Sequence, residues 1–452
     1  MKSQSVPKIE IGQLIDERPL KPLQVLVMVL SFLVVWLDGY HIQSMSLVVP
    51  TLAVEWGVQK TDFQLVLSAA LIGILLGSAF IANMGDRLGR RKVLIISMII
   101  VGISSVCTGY ANGMTGLVIW RFLTGLGLGA SIPNATALTS DYVPGKRRAA
   151  LVTLMFSGVS IGALFSGFVA PHIVEHLGWR GMFTIGGVVP LFMSVLLAAV
   201  MPESIRLLLV RMPDSPRVPK ILARLAPDVD PGIVYARKQE VQRASALELL
   251  RKSYVKGTLL LWFVFGVNMF ILYLLVNWLP TLLSTQGWSA AQASRGAVMI
   301  QAGGVIGGFI LSWYVDRGKT VVSTLTSYVL TAIAFGLFAV LPSSGASWWI
   351  LLTVVGGGIS GAQFVINALA AGFYPTVIRS TGVGWAFSIG RVGAVLSGFA
   401  GGWILKMHVA PFAVLGMLVI PVVMCMAGVF MFKNVFQQPA PAAKVMTAPS
   451  SR

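Results

Sequence analysis

Twelve runs of about 20 apolar residues, each long enough to cross the hydrocarbon core of a bilayer, decide what this chain can fold into. They lie near 23–49, 63–84, 93–111, 115–139, 149–172 and 180–201, then near 257–283, 292–315, 320–341, 347–371, 381–405 and 410–433. Backbone that enters lipid has to satisfy its own hydrogen bonds, so each run is predicted to be a helix. The expectation is an all-α integral membrane protein of 12 transmembrane helices. Its parts are a tail over 1–22, a six-helix bundle over 23–201, a polar loop over 202–256, a second bundle over 257–433 and a tail over 434–452. The last tail is rich in Pro, Ala and Ser and is expected to be disordered.

The loops set orientation. GDRLGRRK at 85–92 and DYVPGKRRA at 141–149 are basic, and eleven Lys/Arg outnumber six Asp/Glu from Glu203 to Lys256. The connections after the first, third and fifth runs carry little positive charge, so both termini and the central loop are expected in the cytoplasm, in a cell inner membrane. The same bias accounts for the formal charge of +18, and no basic recognition helix points to nucleic acid. Only 11% of residues are charged. The N-terminal residues lack a small-residue cleavage site, so no removable leader is expected. Cys107 and Cys425 both sit in apolar runs without the spacing of a metal site. The four histidines, His41, His172, His176 and His408, form no ligand set. No GxxxxGK[ST] loop offers an ATP site. No metal, cofactor or enzymatic centre is expected.

The halves repeat at a shift of about 230 residues. VVPTL at 48–52 returns as WLPTL at 278–282, and Gly73, Gly77 and Asp86-Arg87 return as Gly303, Gly307 and Asp316-Arg317. SGF at 166–168 returns at 397–399. Six helices per half bring the repeat back into the membrane in the same orientation, which predicts two pseudo-symmetric bundles with a pathway between them.

Asp38 and His41, in the stretch WLDGYHIQ, interrupt the first run. Ionisable groups inside a membrane are costly and are functional by default. Counting from the loop ends places Asp38 some eleven residues deep and Arg121 some six, a difference of about 7 Å, so an Asp38–Arg121 pair is expected. It would serve either as a proton-coupling site, with His41 on nearly the same helical face, or as a static brace. Arg391, between Gly390 and Gly393, offers a bidentate carboxylate fork or, alternatively, a cation reaching for the interface. Asn268 is the repeat partner of Asp38. With Asn134, Gln301, Asn367, Tyr40 and Trp385 it completes the expected lining of a central cleft; Asn277 and Gln363 also interrupt apolar runs.

The residues GDRLGRRK and RFLTGLGLG resemble motifs of the major facilitator superfamily, and the likeness covers essentially the whole chain. DGY at 38–40, RFLTGLGLGASIPN at 121–134, PESIRLL at 202–208 and YPTVIRSTGVGWAFSIGRVGA at 374–394 resemble, more narrowly, the aromatic acid:proton symporter family. His41 stands where that family has a second Asp, Ala82 where the loop motif has Gly, and Asp141 where Glu is commoner. The resemblance implies the two-bundle fold and proton-coupled uptake of a benzoate- or hydroxybenzoate-type acid by alternating access, with the proton as the coupling ion. It implies a conformational latch of Asp86, Arg87 and Arg90, joined by a second one of Asp141 with Arg148. A monomer is expected, with a small aromatic acid, protons and the lipid bilayer as partners. The alternatives are transport of another organic anion, export, or a membrane sensor that signals through the central loop. Export is disfavoured because GVSIGALFSGF at 158–168 lacks a Gly-Pro element. The central loop is expected to lay a short amphipathic helix on the membrane surface.

Overall fold

The computed structural model describes residues 9–236, 246–251, 254–338, 340–341, 346–374, 376–407 and 411–436. Helices occupy every apolar run. The first four are α1, Pro22–Trp56, α2, Lys60–Leu88, α3, Arg90–Gly109, and α4, Met114–Tyr142. The stretch Arg148–Val200 breaks at Gly178, whose φ of 67° lies in the left-handed region open to glycine. Its arms, 148–177 and 179–200, are α5 and α6. Beyond the central loop come α7, Val255–Thr285, α8, Ala290–Asp316, α9, Thr320–Phe338, α10, Ala346–Phe373, and α11, Thr376–Lys406. The last, α12, has two segments, Pro411–Met417 and Val419–Phe436. These make two bundles of six. The tail expected to be disordered falls, from 437 on, outside the described residues.

The sequence repeat is a repeat of contact. In the first bundle α2 lies on α4 so closely that a Cβ on Gly73 would stand 2.2 Å from the Phe122 carbonyl oxygen. In the second, α8 lies on α10, and a Cβ on Gly303 would stand 2.0 Å from the Thr353 carbonyl oxygen. Without a hydrophobic drive between helices in lipid, such close backbone contact supplies the packing energy. The helix α2 departs from regular geometry below this seam. Its α-helical part, Gln64–Leu76, widens into a π turn over Gly77–Ile81 and tightens over Ala82–Met84.

The face that carries the central loop is built onto the first bundle. Strand Ile9–Glu10 pairs in parallel with Val234–Tyr235, Asp16 accepts from the Gly145 amide at 2.5 Å, and Arg18 grips Asp228 through two hydrogen bonds. The exposed Asp228 carboxyl is held down to about 2 by that guanidinium. An amphipathic helix does occur in the loop, at Arg217–Leu225, but its apolar side is not laid on lipid. Val218, Ile221, Leu222 and Leu225 are buried in one cluster with Leu14 and Ile15, because the N-terminal segment supplies a nearer apolar surface than the bilayer does.

The bundles meet along α1 with α7, α2 with α11 and α5 with α8. Gln43 donates to the Val276 carbonyl at 3.2 Å and accepts from Gln301 at 3.2 Å, while Lys60 donates to the Ser284 hydroxyl at 2.8 Å. All three lie toward the face opposite the central loop. Arg391 donates to Ser78, in the π turn, at mid-depth.

Candidate functional site

Asp38 is fully buried in α1 and faces neither lipid nor water. Its Oδ2 contacts the Ser131 hydroxyl on α4, and its Oδ1 has no partner. Ser131 lies 2.8 Å from the Leu128 carbonyl as well. A hydroxyl has one proton to give and two lone pairs to accept with. Ser131 therefore donates to Asp38 when the acid is ionised. When the acid is protonated, Ser131 accepts from it and donates to Leu128. One side chain partners Oδ2 of the acid in both states, while Oδ1 stays unpartnered.

The expected Asp38–Arg121 ion pair is not formed. Arg121, 2% exposed, donates from Nη2 to the His41 carbonyl at 3.0 Å, with its guanidinium carbon 5.9 Å from the centre of the Phe183 ring. Nε and Nη1 have no partner. The reason is depth. α1 runs on to Trp56, so Asp38 lies 18 residues from that helix end and not eleven. It meets α4 at Ser131, ten residues and about 15 Å beyond Arg121. The side chains of His41 and Tyr40 turn into the first bundle. The His41 ring lies against Gly186 and edge-on to Tyr40, with neither ring nitrogen in a well-formed hydrogen bond, and the Tyr40 hydroxyl donates to the Met182 carbonyl at 2.8 Å. Neither side chain reaches the seam between bundles.

A small cavity does open at that seam. α2 contributes Leu67, Leu71 and Ile74, α4 Arg121 and Leu128, and α7, from the other bundle, Asn277. Ile42 of α1 completes it, and Asp38 lies one turn away on the same face of α1. Asn277 is 3% exposed and its amide nitrogen has no partner. The cavity thus holds an apolar wall and buried N–H donors without acceptors.

The remaining expected residues divide. Asn268, in the position that repeats Asp38, donates to Gln363 at 2.8 Å and accepts from the Tyr328 hydroxyl at 2.9 Å, and Gln363 donates on to Asn367 at 3.0 Å. This is an uncharged network inside the second bundle. Gln301 belongs to the contact with Gln43, a residue the sequence shows only as one more polar group in WLDGYHIQ. Asn134 donates to the Ala82 carbonyl at 3.2 Å and braces α4 on α2. Trp385 stacks on Trp262 with ring centres 5.9 Å apart and is 42% exposed. Arg391 is the one of this group that crosses between bundles at mid-depth, and its partner is a hydroxyl.

The charged loop residues join within the first bundle. Arg90 forms an ion pair with Asp141 and lies 3.5 Å from the largely exposed Asp86. Ser204 also donates to Asp141. Asp141 thus pairs with Arg90 and not, as expected, with Arg148, whose Nε has no partner. Glu203, from PESIRLL, accepts from the Arg91 amide at 3.2 Å, and the Arg87 carbonyl accepts from Arg211 at 3.3 Å.

Residues 25–398 match the model of the Major Facilitator Superfamily. The chain is 36% identical to the 4-hydroxybenzoate transporter PcaK of Acinetobacter baylyi, over 93% of this chain and 94% of that one. It is 33% identical to a gallate transporter of Pseudomonas putida, covering 88% and 89%, and 31% identical to a benzoate transport protein of Acinetobacter baylyi, covering 97% and 96%. Among solved structures, the inward open xylose transporter XylE from E. coli superposes with a TM-score of 0.73 at 18% identity, covering 93% of this chain and 98% of that one. The paired bundles, the loop motif held by Arg90 and Asp141, and these matches agree that the chain belongs to the Major Facilitator Superfamily.

Proposed function

We propose that the protein imports an aromatic carboxylate together with protons by alternating access, with the central-loop face in the cytoplasm. The observation that carries this reading is the cavity between bundles. It offers an apolar wall for a ring, Arg121 with two unpaired N–H groups for a carboxylate, and one turn away an acid whose neighbour Ser131 serves it with or without a proton. The printed activities of the relatives, 4-hydroxybenzoate, gallate and benzoate transport, are of one chemical class, a ring bearing a carboxylate, and the apolar lining and Arg121 offer partners for those two parts.

The sequence of events follows from the charges. Asp38, Arg121 and Arg391 are ionisable groups at or beside the middle of the seam, with Lys60 nearer its outer end, and neither guanidinium has a carboxylate partner among the described residues. With the cavity open to the outside, protonation of Asp38 leaves a positive site that attracts the anion. Arg121 takes the carboxylate, and the loaded site carries less net charge when the bundles close over it. This conformation, sealed on the side of Gln43, Gln301 and Lys60, is the inward-facing one. Arg391, roughly one turn nearer the cytoplasm than Ile74, is the second cation that the leaving anion meets. Coupling is a linkage: the anion binds the protonated carrier better, so it raises the proton affinity of the site by the same factor. The loop motif closes the cytoplasmic side in the outward-facing state.

Purified protein in liposomes should accumulate labelled 4-hydroxybenzoate or benzoate when the lumen is alkaline, and a proton ionophore should abolish the accumulation while leaving counterflow intact. Accumulation that ignores the pH gradient removes the proton from the reading. Binding without counterflow turns the protein into a sensor.

A further inference from the structure

We propose that Asn277 is the second bundle's donor to the substrate carboxylate, so that the bound anion itself ties α4 to α7 and helps hold the outer side shut. The inference rests on the reading of the cavity as the carboxylate site and adds to it a residue, a partner atom and a consequence.

Arg121 of the first bundle and Asn277 of the second both line the cavity, and Arg121 Nε and Nη1 and Asn277 Nδ2 are buried without an acceptor. Buried donors are almost always paired, and each one left orphaned is costly. A carboxylate accepts at both oxygens and donates nothing, so one such group satisfies donors from two directions. A ring hydroxyl would bring a proton of its own into a cluster already made of donors. Asn277 has not been drawn into the neighbouring polar contacts, since Gln43 takes the carbonyl of the adjacent Val276 and not the Asn277 amide. It has been left free on a helix that otherwise closes the outer side. Removal of the anion deletes the shared acceptor and leaves donors facing one another across the seam, which favours opening.

The test compares wild type with Asn277→Leu, which keeps the shape of the amide but not its donor, and Asn277→Asp, which offers a second route if the leucine variant does not fold. Equilibrium binding of labelled benzoate and 4-hydroxybenzoate is measured together with maleimide labelling of Ser294→Cys, a seam position 4% exposed, in a form whose Cys107 and Cys425 are replaced. Asn277→Leu should weaken both acids by the same factor, between about 10-fold and 100-fold, as the loss of a hydrogen bond to a charged group does, and the acids should no longer protect Ser294→Cys. Asn277→Asp should weaken binding further at neutral pH and recover relative to wild type as pH falls and the new acid is neutralised. Equal affinity in wild type and Asn277→Leu overturns the inference, as does a loss confined to 4-hydroxybenzoate, which would make Asn277 the reader of the ring hydroxyl. Wild-type protein that binds neither acid overturns the cavity reading and this inference with it.

Discussion

Glycine at 398 provides a direct measure of how the outer side closes. A Cβ there would stand 2.4 Å from the Ser68 hydroxyl and 3.1 Å from the Ser68 Cα on the other bundle, about 1 Å short of ordinary contact with the first atom. That clash exists only while α2 and α11 are together, so Gly398→Ala should burden the inward-facing conformation and spare the outward-facing one. Overpacking of this kind costs about 1–3 kcal/mol, which shifts the balance roughly 5- to 150-fold toward outward-facing. The assay is maleimide labelling of Ser294→Cys from outside in the background without Cys107 and Cys425. The labelling rate should rise by that factor while the protein elutes as a folded species. Gly39→Ala is the control: its Cβ would stand 2.0 Å from the Val159 carbonyl oxygen within the first bundle, so it should lower thermal stability without changing the labelling ratio. A folded Gly398→Ala protein that labels at the parent rate refutes the argument that glycine contact sets closure.

Asp38→Asn should abolish uphill accumulation and keep counterflow, because the amide still bonds Ser131 but carries no proton between the sides; full accumulation by this variant excludes Asp38 as the coupling group. Arg90→Ala should strip Asp141 of its cation and leave Ser204 as its remaining partner, lowering stability by about 3 kcal/mol, readable as a fall in Tm larger than that of Arg148→Ala. The Arg18 and Asp228 pair has its own pH window. The folded carboxyl lies below its ordinary 3.8, at about 2, so the pair supports docking of the N-terminal segment above pH 3.8 and loses that support as pH falls through about 2. At neutral pH Asp228→Asn should expose the segment before Pro22 to protease, and an unchanged cleavage rate would deny the pair this role.

The architecture was legible because lipid imposes it: apolar length names the helices, and the 230-residue shift pairs Gly73 with Gly303 and Asp38 with Asn268, as the structure does. Asp38 was legible because an acid in such a run needs a reason. The details of the site were less so. Residue counting along helices gives relative depth only when both ends are known, and α1 continues seven residues beyond its apolar run, which displaced Asp38 from Arg121. Rotation about the helix axis was less accessible still. Tyr40 and His41, neighbours of Asp38 in sequence, turn toward α6, and Asp141 turns toward Arg90 because Ser204 and the start of α3 lie on that side. Asn277 and Gln43 carried no signal beyond being polar in an apolar run; only the assembled seam distinguishes an amide that faces a cavity from one that braces a helix, as Asn134 does.

The two sides of the carrier are fastened by different chemistry. The closure opposite the central loop rests on amides, glycine contacts and a lysine bonded to a hydroxyl, none of them an ion pair, whereas the loop motif joins a largely buried Arg90–Asp141 pair to the exposed charge of Asp86. Screening by electrolyte weakens the second kind of fastening and barely affects the first. On the proposed orientation, ionic strength on the central-loop side should therefore act on the resting balance of the molecule more than the medium on the opposite side does.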